Sequence, residues 1–174
     1  MWGVFCCSAY FVGVLWVKDE DDSGIKWKIV YVLGELTACM EFLICPFFWI
    51  VLFPLLYDQM DALMIFWNVM IHLVVSVSIW IEILLNHIQF PDKHKIFLAV
   101  LGVSYGMLNW IWTTTQAEIY PLIDWVSWQS WALCLVAAMI AFAGFQVGKW
   151  QYRWKQAKFT KPDMVEFCST YFSI

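Results

Sequence analysis

Charge is scarce in this sequence. Asp, Glu, Lys and Arg make up 14% of the 174 residues, against about a quarter in ordinary soluble domains. Basic residues are outnumbered, with Lys+Arg 10 against Asp+Glu 14 and a formal net charge of −4. A pI near 5.2 offers no basic surface for nucleic acid. No CxxC pair occurs among Cys6, Cys7, Cys39, Cys45, Cys134 and Cys168, and His72, His87 and His94 are not spaced as a ligand cluster. The cysteines therefore read as small hydrophobes, and neither a metal nor a cofactor is expected. The chain also lacks internal repeats and low-complexity linkers, and its first segment, without a basic start or a small-residue end, is not expected to be a cleaved signal peptide.

Apolar and aromatic residues fill the space that charge leaves. Hydrophobic residues are 63% of the chain, and thirteen Trp and seven Tyr exceed what core packing needs. Rings of that kind gather at membrane interfaces, and the mean hydropathy of +0.69 points the same way. The expectation is an all-α, polytopic transmembrane helix bundle, with membrane lipids as its first partners and no nucleic acid. Five apolar runs suggest five spans: about Trp2 to Val17, Lys28 to Tyr57, Leu63 to Ile88, Ile96 to Gln116 and Ser130 to Trp150. A span needs about 20 residues, so the first is short and the second is long. Pro46 is the natural hinge of the second, because it lacks an N–H and crowds the preceding turn. Residues 1–150 form the bundle and residues 151–174 a C-terminal tail.

Threading five spans places Lys18, Lys26, Lys28, Lys93, Lys95, Lys149, Arg153, Lys155, Lys158 and Lys161 on one side. The positive-inside rule makes that side, and with it the C-terminus, cytoplasmic. Span length does not separate plasma membrane from endoplasmic reticulum. The same threading puts Met1 outside, directly joined to an apolar span. Either that segment acts as a reverse signal anchor, or a longer form has an upstream helix.

The stretch "FWNVMIHLVVSVSIWIEILL", Phe66 to Leu85, carries the chemistry. Ionisable groups inside a bilayer are costly and face a bundle interior or a cavity. Asn68, His72 and Ser76 recur every four residues and share one stripe. Glu82 lies about 15 Å from His72 along the helix. From the opposite direction the second span brings Glu41 to a depth comparable with His72, and Glu35 to the level of Glu82. Glu41 is thus the candidate partner of His72, and Glu35 belongs near Glu82. Two readings stay open. The groups are interhelical hydrogen-bond glue, with the buried carboxyls neutral, or His72 is a general base that serves a hydroxyl nucleophile. Thr37, Ser76 and Ser78 are intramembrane hydroxyls with no nucleophile motif around them. Thr113 to Thr115 end the fourth span and are expected to bond local backbone. "AEIYPLIDWVSWQSW", Ala117 to Trp131, reads as an aromatic anchoring loop that could also lid a cavity.

Together, Asn68-x3-His72, Glu82, Pro91, Tyr105 with Trp110, and "IYPLIDW" from Ile119 to Trp125 resemble the rolling stone family. More distantly they are similar to the androgen-induced and androgen-dependent multi-pass proteins. The resemblance runs from about Trp2 to Trp150. It implies a multi-pass membrane protein of the kind associated with myoblast fusion. The more distant relatives imply a second activity, hydrolysis of fatty-acid esters by an intramembrane Thr and His. His72 matches the position of that His, with Asn68 one turn before it. The family's Thr would fall at or upstream of Met1, so no Thr of this chain matches it, and the six-helix family pattern implies a first helix not present here. The resemblance therefore implies a rolling stone-like protein that is non-enzymatic or catalytically incomplete, acting in adhesion, fusion or membrane assembly. The alternative is a lipid-ester hydrolase with His72 as base and Asn68 as its orienter. Glu35 and Glu41 match nothing in the family and rest on depth alone.

Overall fold

The computed structural model describes residues 2–17, 24–86, 88–116 and 123–159, and every regular element among them is helical. Helix α1 spans Trp2–Val17 and α2 spans Ile25–Phe47. A π-helical turn, Phe48–Leu52, leads into α3, Phe53–Leu56, and a 3-10 turn, Tyr57–Gln59. Helix α4, Ala62–Val69, runs through a second π turn, Met70–Val74, into α5, Val75–Leu85. A 3-10 turn, Asp92–His94, starts α6, Lys95–Thr115, and α7 closes the chain at Trp128–Phe159.

Four of the resulting rods are long and apolar enough to cross a membrane: Ile25–Gln59, Ala62–Leu85, Asp92–Thr115 and Trp128–Lys158. The shorter α1, 16 residues, reaches about 24 Å at 1.5 Å per residue. The five apolar runs of the sequence thus correspond to five rods, with ends shifted by a few residues. The largest shift is at the C-terminal end. The helix does not stop near Trp150 but continues to Phe159, and Gln151 and Lys155 are buried in the bundle. The first part of the expected tail is therefore packed structure. Pro46 lies within α2, and the wide turn begins two residues after it. Proline removes one i to i−4 bond and pushes on the carbonyl a turn earlier, a strain that a wider turn absorbs.

Helix α2 is the axis of the bundle. It packs on α1, α5 and α7, and more lightly on α6. Ala38 and Cys39 present small side chains at its centre, beside Ile79 and Ile83 of α5. Two glycines permit contacts that a side chain would block. A Cβ on Gly34 would stand 2.7 Å from the Tyr10 ring, and one on Gly148 would stand 2.5 Å from the Phe90 ring. Phe90 is fully buried with a positive φ of 59°, so the chain accepts a left-handed residue to drive this ring against Phe145 and Gly148 of α7. Helices α4 and α6 expose most of their side chains, as lipid-facing helices do.

Candidate functional site

Helices α2 and α5 run antiparallel, and their register decides which polar groups meet. Glu41 pairs with Ser76: the hydroxyl lies 2.5 Å from Glu41 Oε2 and 2.9 Å from the His72 carbonyl of its own helix. Both side chains are buried, Glu41 at 1% exposure. The Ser76 hydroxyl lies within donating reach of both oxygens, as in a three-centre bond. On the far side, a Cβ at Gly3 would overlap Glu41 Oε1, so the glycine leaves that carboxyl room between α1 and α5.

His72 takes a different partner from the one expected. Its ring stacks on Phe48, centroids 3.9 Å apart and planes 12° from parallel. The two rings belong to the two π turns, which face each other across the bundle. Glu41 therefore sits one turn away from the imidazole, on Ser76. The expected Glu41–His72 pair is not formed: Glu41 meets Ser76, four residues further along, and His72 meets Phe48. His72 Nδ1, Glu41 Oε1 and Trp49 Nε1 are buried with no hydrogen-bond partner among the described residues. Asn68 bonds its own helix, donating to the Met64 carbonyl at 2.9 Å and toward Met60 Sδ at 3.6 Å. The Thr37 and Ser78 hydroxyls each donate one turn back, to the Leu33 and Val74 carbonyls.

Glu35 and Glu82, expected near one another, each have a separate partner. Glu35 and Glu41 are six residues apart and so face directions about 120° apart on α2. Glu35, 1% exposed, meets His94 Nδ1 at 2.7 Å. Glu82 Oε1 accepts from Tyr10 Oη at 3.0 Å and from Asn86 Nδ2 at 2.6 Å. The chain between α5 and α6 is held by further bonds. Tyr31 Oη accepts the Gln89 N–H, and the Lys155 ammonium donates to the carbonyls of Ile83 and Asn86. Asp92 pairs with Lys95 at 2.5 Å and with Lys149. The C-terminal end of α5 thus meets the lysine-bearing start of α6 and the lysine-bearing C-terminal part of α7.

At the opposite end Asp124 organises the start of α7. Its Oδ1 accepts from the Ser130 hydroxyl at 2.6 Å, from the Ser127 N–H and hydroxyl, and from the Val126 N–H. Those donors hold the Asp124 carboxyl well below the usual range, the Ser130 hydroxyl contributing most. Trp125, at a positive φ of 60°, donates from its indole to Asn109 Oδ1 at 2.7 Å. Asn109 is 3% exposed on α6 and was not singled out from the sequence. An amide inside the apolar run Lys95–Thr115 was the signal available for it. Residues 117–122 of the aromatic loop, and His87, lie outside the described residues. Thr114 and Thr115 bond carbonyls one turn back, as expected of helix-terminal threonines, whereas the buried Thr113 hydroxyl has no hydrogen-bond partner among the described residues.

No group of three His, Cys, Asp or Glu side chains able to hold a metal occurs among the described residues. Compared with protein-family models, curated proteins and solved structures, the chain has no match. What the fold and site define is a class: an all-α bundle of membrane-span helices, organised around α2, with carboxyl-centred polar contacts between its helices.

Proposed function

We propose that this chain is a rolling stone-like, multi-pass membrane protein that acts without catalysis, in adhesion, fusion or membrane assembly. The observation that carries the reading is the surroundings of His72. Its ring is stacked on Phe48, Asn68 is engaged by its own turn, and the Thr37, Ser76 and Ser78 hydroxyls are committed to backbone or to Glu41. A general base needs the nucleophile's proton within hydrogen-bond reach. Among the described residues no hydroxyl is bonded to this ring. In the same reading the lysine-rich end and the C-terminus face the cytoplasm, in plasma membrane or endoplasmic reticulum.

A hydrolytic reading is the second one, and it has its own support. The π turn at His72 is a feature frequent at functional sites, and Nδ1 is buried without a hydrogen-bond partner among the described residues. One experiment separates the two. The full chain is purified into nanodiscs and given fatty-acid ester substrates, alongside His72→Ala. The non-catalytic reading expects turnover at the background rate for both proteins. Turnover by the native chain that His72→Ala abolishes would establish the hydrolase instead. Orientation is read separately by glycosylation tags, which are expected to be modified beside Asp58 and left bare after Phe159.

A further inference from the structure

Helix α7 is longer than a bilayer requires. Its 32 residues extend about 48 Å, against about 30 Å of hydrocarbon. Counted from its start, roughly the last ten residues lie in the headgroup zone of the lysine-rich end. That stretch, "KWQYRWKQAKF", contains no carboxylate, and neither does any other part of α7.

The cations of this stretch divide by face. Lys149 and Lys155 turn inward, to Asp92 and to the α5 carbonyls. Arg153 and Lys158 turn outward and are exposed, together with Trp150, Trp154 and Ala157. At 100° per residue these five occupy one arc of about 140°. The two cations are at its edges and the two tryptophans between them. Trp150 is 66% exposed, and the Lys158 ammonium lies 5.0 Å over the Trp154 ring. An indole pair sets the depth of a helix at the interface, and a cation on either side offers charge where phosphates lie.

We propose that this arc is a binding site for an anionic phospholipid headgroup, with Arg153 and Lys158 as its cationic contacts and Trp150 and Trp154 as its walls. The occupant follows from charge and depth together. The arc carries positive charge without internal neutralisation by α7, and it sits at the level of the headgroups. A guanidinium can also hold a phosphate through two N–H bonds. The site is independent of any role for His72.

The test is native mass spectrometry of the full chain, released from nanodiscs of phosphatidylcholine and phosphatidylserine in equal amounts. The native chain is expected to retain phosphatidylserine over phosphatidylcholine, and Arg153→Gln with Lys158→Gln to reduce that preference roughly fivefold to twentyfold. Arg153→Lys with Lys158→Arg is expected to keep it, and circular dichroism of both variants reads whether the fold is intact. Equal retention of the two lipids by the native chain overturns the proposal. So does a preference that survives the glutamine variant or is lost only in Lys26→Gln with Lys28→Gln. An acidic protein, rather than lipid, as the partner of this arc would appear as the first of these outcomes.

Discussion

At the scale of single residues, the pair Glu41 and Ser76 admits two proton arrangements: the hydroxyl donates to Glu41, or a protonated Glu41 donates to Ser76 Oγ. If Glu41 is the donor, Glu41→Gln keeps a donor for Ser76 Oγ and costs little. Ser76→Ala leaves a buried carboxyl without its partner and is expected to cost about 1 kcal/mol. That is the low end for a lost buried bond, because the unfolded chain in a membrane also finds partners. Thermal unfolding in detergent ranks the two. A Gln variant less stable than the Ala variant would mean that Glu41 is held as the carboxylate. Asp124 offers the opposite case, outside the spans. Its folded carboxyl titrates below the ordinary range near 3.9, so the stability it contributes is complete above about pH 4. It is lost as pH falls from there toward the folded value. Amide protection at Val126 and Ser127 is therefore expected to be flat from about pH 7 to 5 and to fall below about pH 4. Asp124→Asn should lower it at neutral pH and remove the dependence.

Between elements, Phe90 and Gly148 form a lock that joins the α5–α6 connection to α7. The left-handed backbone at Phe90 is unfavourable for a non-glycine residue by about 1 to 2 kcal/mol, and ring burial against Phe145 and Gly148 offsets it. Gly148→Val should push the ring out and lower the unfolding temperature by several degrees. In a Phe90→Ala background the same change should cost less, with a coupling of about 1 to 3 kcal/mol. Additive losses would show that the contact is not rigid. This lock also marks the limit of what the sequence could say. Apolar runs made the five rods legible, whereas the α-helical period behind the stripe Asn68, His72, Ser76 is interrupted by the π turn at Met70–Val74. Which atom of the stripe Glu41 would reach was not legible, because the stacking of His72 on Phe48 joins two different rods and leaves no local pattern. His94, Lys155 and Asn109 were invisible as site residues for a related reason. Each is a single polar residue whose partner, Glu35, the α5 carbonyls or Trp125, lies many residues away in the chain.

For the molecule as a whole, cohesion is unequal. Helices α1, α5 and α7 close around α2, whereas α6 buries only Leu98 and Asn109. Without a hydrophobic force between helices in lipid, a helix with so little packing is retained by its polar contacts. α6 has such contacts at both ends, and they differ in kind. At the lysine-rich end Asp92, 60% exposed, joins Lys95 and Lys149. At the other, the Trp125 indole bonds the buried Asn109. Salt screens the first, since at 1 M the Debye length falls to about 3 Å, and leaves the second intact. Glu35 and His94 also tie the start of α6 to α2, but that contact is buried and screened far less. Distances between spin labels at Ala99 and Thr114 on α6 and fixed positions on α2 should therefore respond differently. High salt or Asp92→Asn is expected to broaden the Ala99 distribution modestly while leaving Thr114 narrow. Asn109→Leu is expected to broaden Thr114 and spare Ala99. If both sites broadened together under either change, α6 would move as a rigid body about a single tether, and the two-clamp account of this bundle would be wrong.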